Sequence, residues 1–114
     1  GLNLAPPTAP AHEIIYYEIQ KHLSRDNIAR RAGIEGRVTV EVSIAPDGQI
    51  LQAKVTEGTR AHPILKDMAL DAVKKAPWRP LIKQGKAVPT QFRIRFDFGK
   101  EDTHLKLLRI QEIK

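Results

Sequence analysis

Two stretches of this chain alternate apolar and polar residues without a break. From Arg37 to Ala45, Val38, Val40, Val42 and Ile44 take one parity and Arg37, Thr39, Glu41 and Ser43 the other. From Val88 to Phe98, Phe92, Ile94, Phe96 and Phe98 oppose Gln91, Arg93, Arg95 and Asp97. Successive side chains of a strand point to opposite faces, so each stretch reads as a strand with one buried and one solvated face. A sheet of such strands takes helices on one side only. That excludes the doubly covered parallel sheets of α/β folds and predicts an antiparallel α+β domain.

The remaining elements fit around these two strands. After Ile44, Pro46-Asp47-Gly48 supplies a fixed φ, a side-chain turn acceptor and a residue free to take positive φ, and Leu51, Ala53 and Val55 alternate again. A hairpin is expected there. Pro63 suits a first helical turn, the stripe Leu65, Met68, Ala69, Ala72, Val73 and Ala76 forms one helix face, and Pro77 stops it. Upstream, Ile15, Ile19 and Leu23 recur every four residues and predict a helix over 11–23, with a second short helical stretch from Asp26 or Asn27 to Gly33. Because a helix links the second strand to the third, the third returns beside the first. The expected sheet is three-stranded, in the order 2-1-3, with two main helices on one face and the third strand at an edge.

Three segments follow from this pattern. Residues 1–10, with Pro6, Pro7 and Pro10 among small residues, read as the end of a proline-rich linker. Residues 11–99 form the domain. Residues 100–114 are an extension in which Leu105, Leu107, Leu108, Ile110 and Ile113 follow no clear period, compatible with an extra strand or a short helix; the stretch from Leu105 to Ile113, or another copy of the chain, is a candidate to cover the free edge by strand exchange. The chain begins at Gly1 rather than Met and is read as a processed product or an excised domain.

Composition narrows the chemistry. The 114 residues suffice for one core. With no cysteine there is no disulfide framework, thiolate nucleophile or Cys-based metal site, and no run of about 18 apolar residues is long enough to span a membrane. His12, His22, His62 and His104 lack a second histidine three or four residues on, so neither a metal nor a cofactor is expected. Ser24 and Ser43 sit in no nucleophile context, and the pairs Glu13/Glu18 and Asp67/Asp71 read as a solvated helix face, so no enzymatic activity is expected. The net charge of +6 favours acidic partners. One rival reading uses that charge: Gly33-Ile34-Glu35-Gly36, flanked by Arg30, Arg31 and Arg37, matches the GxxG loop of KH nucleic-acid-binding domains. A KH loop, however, joins two helices, whereas this one leads into a strand.

The ordered set Ile34-Glu35-Gly36, Val38/Val40/Val42, Pro46-Asp47-Gly48, the helix from Leu65 to Ala76 and Trp78-Arg79-Pro80 resembles the C-terminal domain of the TonB energy transducers, over about Asn27 to Phe98. Gly36, Asp47, Gly48, Trp78 and Pro80 are its structural positions here. The chain departs from the family where Arg25-Asp26 replace a common Tyr-Pro pair. The resemblance implies a periplasmic domain tied through a proline-rich spacer to an inner-membrane anchor and its proton-driven motor complex. It also implies capture of the N-terminal box of TonB-dependent outer-membrane receptors, for import of iron-siderophores, vitamins or similar cargo, and allows a homodimer.

On that resemblance the partner-binding residues are Thr90, Gln91, Phe92, Arg93, Ile94, Arg95 and Phe96. An edge strand offers unpaired backbone donors and acceptors to which an extended peptide can add. Pro89 lacks an amide hydrogen and is expected where the strand begins. Arg93 and Arg95 are read either as attracting an acidic receptor segment or as discouraging self-aggregation. Trp78 is read as a core anchor rather than a ligand platform.

Overall fold

The structure, a computed structural model, describes residues 11–25, 32–56, 60–99 and 106–113. The linker expected over 1–10, Arg30, Arg31 and His104 lie outside the described residues. Of the short helical stretch before Gly33 only Ala32 is described, and it is helical. In chain order the elements are α1 (Ala11–Arg25), β1 (Gly36–Ile44), β2 (Ile50–Val55), α2 (Pro63–Lys75), β3 (Leu81–Lys83), β4 (Lys86–Val88), β5 (Thr90–Phe98) and β6 (Lys106–Ile113).

The long strands form one antiparallel sheet in the order β2-β1-β5-β6. The three expected strands stand in the expected order 2-1-3, and the C-terminal tail adds a fourth outside them. The parity read from sequence sets the burial. Val38, Val40, Val42 and Ile44 of β1 and Phe92, Ile94, Phe96 and Phe98 of β5 face the helices and are buried. α2 covers β1 and β2, and α1 packs against α2 and β6. Ile15, Ile19 and Leu23 of α1 join Leu65, Ala69, Ala72 and Val73 of α2 in the same core. Each such large apolar side chain contributes about 1.5–3 kcal/mol by leaving water.

α2 is closed at both ends by specific contacts. His62 precedes Pro63 and its Nδ1 accepts from the amide of Ile64 at 3.1 Å, satisfying a helix-start donor. At the other end Trp78 Nε1 donates to the carbonyl of Val73 at 2.7 Å while its ring stacks on Phe92, centroids 5.4 Å apart. Trp78 therefore ties the helix end to β5.

Two local expectations are corrected. Leu51, expected to point inward, is 67% exposed. The β1–β2 register shifts between Ser43 and Ile44: Gln52 opposes Ser43 and Ile50 opposes Ile44, leaving Leu51 as the extra residue of a bulge and Ile50 half-buried in its place. The strand expected from Val88 also begins later. Lys86–Val88 instead pairs with Leu81–Lys83 in a small hairpin, and Pro89 separates it from β5. Its two-residue turn, Gln84-Gly85, has φ of 52° and 79°, the positive-φ pair that suits the right-handed twist of such a ribbon.

Candidate functional site at the β5–β6 end of the sheet

β5 is not an edge. It pairs with β1 from Gly36↔Phe98 to Ile44↔Thr90 and, on its other side, with β6 from Gln91↔Ile113 to Asp97↔Lys106. This overturns the expectation of an open third strand. Gln91 to Phe96 have register partners on both sides and Thr90 on the β1 side, so direct addition of a peptide along Gln91–Phe96 has no free ladder to meet.

The two seams of β5 differ in quality. The β1–β5 register runs through nine consecutive pairs without a shift. Its solvated face carries complementary partners: Arg93 Nε and Nη2 donate to Glu41 Oε2 at 3.3 and 3.0 Å, Gln91 donates to Ser43 Oγ at 3.2 Å, and Arg37 stands 4.0 Å from Asp97. The β5–β6 register is broken between Arg95 and Phe96, where Arg95 opposes Arg109 and Phe96 opposes Leu107. Leu108 is thus the extra residue of a bulge. Like charges directly opposite destabilise a strand pair, and a bulge leaves one residue unpaired. The outer seam thus sets a register break beside a like-charged register pair, with Asp97 opposite Lys106 further along, and the inner seam has neither the break nor a like-charged pair.

The seven candidate residues divide by face. Phe92, Ile94 and Phe96 are buried, with Thr90 beside them at 7% exposure, and they belong to the core. Gln91 and Arg95 are exposed and Arg93 is half-buried on the solvated face. Only their backbone is common to both faces, as strand addition requires. Near the end of this seam Ser43, Ile44, Leu51, Pro89, Thr90, Gln91 and Ile113 line a shallow recess. Leu51 reaches it through the bulge, so a strict alternation rule misses it.

The structural positions assemble around the hairpin. Asp47 Oδ1 accepts from the amide of Gln49 at 3.0 Å, and Ala45 closes the turn with Gly48 and Gln49 through its backbone. Gly48 has φ of 90° and is buried; a Cβ there would stand 2.8 Å from Pro80 Cδ and 3.0 Å from the Arg79 carbonyl carbon. The Pro46-Asp47-Gly48 turn and the Trp78-Arg79-Pro80 segment therefore pack on each other. A Cβ on Gly36 would meet Leu65 Cδ1 at 3.0 Å, so β1 starts close against α2.

α1 is fastened across the helical layer. His22 Nε2 lies 3.1 Å from Asp71 Oδ2, and Lys75 Nζ 3.3 Å from the same oxygen. Partial burial pushes the Asp71 carboxyl upward, but the hydrogen bonds from His22 and Lys75 together outweigh it and hold the group below its usual value. Its side chain remains half exposed, so this is a modest clasp.

The nucleic-acid alternative finds no support in the loop geometry. Gly33 has φ of 72° and the chain passes within three residues directly into β1, not into a second helix, with Glu35 exposed. Among the described residues no group of three His, Asp or Glu is placed to hold a metal ion.

A family profile described as the Gram-negative bacterial TonB protein C-terminal matches residues 27–99, well over half of the sequence. The chain belongs to the TonB C-terminal domain family. Its fold is similar to the NMR solution structure of the Helicobacter pylori TonB C-terminal domain, with a TM-score of 0.57 and 25% identity, over 81% of this chain and 85% of that one. No protein of curated function matches. As a TonB C-terminal domain the chain is a non-enzymatic transducer domain of the periplasm. The matched segment contains β1, β2, α2, β3, β4 and β5, whereas α1 and β6 lie outside it.

Proposed function

We propose that this domain captures the N-terminal box of TonB-dependent outer-membrane receptors by strand exchange, with the incoming peptide pairing along Thr90–Phe96 in place of β6. The observation that carries the reading is the unequal pair of seams on β5: the continuous, charge-complementary one holds β5 to β1, and the bulged one with Arg95 opposite Arg109 holds it to β6. Opening the weaker seam exposes the backbone of β5 without disturbing the core.

Exchange also sets the affinity. Each ladder hydrogen bond nets only about 0.5–1.5 kcal/mol, and the peptide recovers bonds that β6 gives up while losing its own rigid-body freedom. The intrinsic affinity is further reduced by the fraction of molecules in which β6 is away. Micromolar or weaker binding follows, suited to a contact that must form, bear load and release. In this reading the N-terminal side leads to an inner-membrane anchor and a proton-driven motor complex, and the work serves import of iron-siderophores, vitamins or similar cargo. A second copy donating its own β6 to an opened β5 gives a homodimer by the same pairing.

The test is a proline in β6. Gln111 is the register partner of Arg93, on the parity whose amides face β5, and Gln111→Pro removes a ladder donor and weakens the seam without touching β5. Calorimetric titration with a receptor-box peptide is expected to show binding about tenfold tighter than in the parent chain. Unchanged or weaker binding would contradict exchange and leave the outer edge of β6 as the pairing surface. Arg93→Pro, which removes an amide on the outer side of β5, is expected to abolish binding.

A further inference from the structure

The two elements that lie outside the matched segment, one before it and one after it, pack against each other. α1 ends at Arg25 and β6 starts at Lys106, yet α1 lies against β6, and both flank the β5 side of the sheet. α1 buries Ile15, Ile19 and Leu23 in the common core and is clasped to α2 through His22, Asp71 and Lys75. Among the described residues β6 has one sheet neighbour, β5, across the bulged seam whose register sets Arg95 opposite Arg109. A terminal strand paired on one side opens more readily than a central one, so the layer packed over it helps to set how firmly it is held.

We propose that α1 is a latch for β6: while α1 is clasped to α2, β6 stays on β5 and the capture strand is covered, and lifting α1 frees β6 and opens it. This inference rests on the reading that β5 is the capture strand, and adds what controls its exposure. α1 precedes the sheet in the chain, so load arriving from the N-terminal side reaches α1 before it reaches β1. Once the domain is held on its far side, tension on the linker works first on the clasp. The clasp is polar and half exposed, so it gives way before Ile15, Ile19 and Leu23 leave the core.

The test locks the latch. The sequence contains no cysteine, so His22→Cys with Asp71→Cys gives a unique thiol pair that a short bis-alkylating reagent such as dibromobimane can join. Hydrogen exchange is then followed at β6 (Lys106–Ile113) and, as an internal reference, at β2 (Ile50–Val55), the other edge strand. The linked protein is expected to exchange its β6 amides about tenfold more slowly than the unlinked one, with β2 unchanged, and His22→Ala to exchange β6 faster. Exchange of β6 that ignores the link, or slowing shared equally by β2, overturns the latch. Receptor-box peptide separates this from the capture reading: linkage is expected to weaken binding about tenfold, and adding Gln111→Pro to the linked protein to restore it. If the linked Gln111→Pro protein shows no binding while the exchange result holds, the latch stands and capture on β5 fails.

Discussion

Single residues decide how the hairpin and the outer seam are built. Gly48 combines positive φ with a position where any Cβ would press on Pro80 and Arg79. Gly48→Ala is therefore expected to destabilise the domain by about 1–3 kcal/mol, from backbone strain and displacement of the Trp78-Arg79-Pro80 segment, as read by chemical denaturation. A loss below a few tenths of a kcal/mol would mean the turn and that segment are not coupled. Arg109 works in the opposite sense. Arg109→Glu converts a like-charged register pair with Arg95 into an opposite one and is expected to stabilise the β5–β6 seam by up to about 1 kcal/mol, slowing amide exchange in β6 and weakening peptide capture. Faster exchange in that variant would remove the charge opposition from the account.

Elements show where local pattern suffices and where it fails. The helix over 63–75, the helix beginning at Ala11 and the strands β1 and β5 were legible because their apolar periods are unbroken and end at Pro, Gly or polar turns. β6 was ambiguous for a physical reason. Leu107 and Ile110 both occupy register positions opposite inward residues, Phe96 and Ile94, yet the bulge at Leu108 places them three residues apart and destroys the period of two. Leu51 misled in the same way. That the tail returns to β5 is a long-range pairing to which no local pattern points, and for that reason the strand carrying Thr90–Phe96 read as an edge. The site's face assignments, by contrast, followed from alternation alone.

The α1–α2 clasp makes a pH prediction at this scale. Asp71 is held below its usual value in the folded chain, so its contribution is present above the unfolded value, about pH 4, and is lost as pH falls through the depressed folded one. His22 meets it from α1 and Lys75 from its own helix. Stability measured from pH 5 down to pH 2 is expected to fall less steeply in Asp71→Asn than in the parent chain; equal slopes would mean the clasp contributes nothing.

For the whole molecule, the proposed reading has the family core supply a rigid strand and the flanking segments decide whether it is available. β5 is fixed by β1, by Phe92 stacked on Trp78 and by the buried row Phe92, Ile94, Phe96 and Phe98. The central claim is that a receptor segment takes the place of β6 on β5. The most direct measurement is NMR of the isotopically labelled chain with an unlabelled receptor-box peptide, following the cross-strand contact between Ile94 and Ile110. The account predicts that this contact disappears as peptide contacts appear along Thr90–Phe96, while the Ile94–Val40 contact on the other side of β5 persists. A peptide that binds with the Ile94–Ile110 contact intact would contradict it.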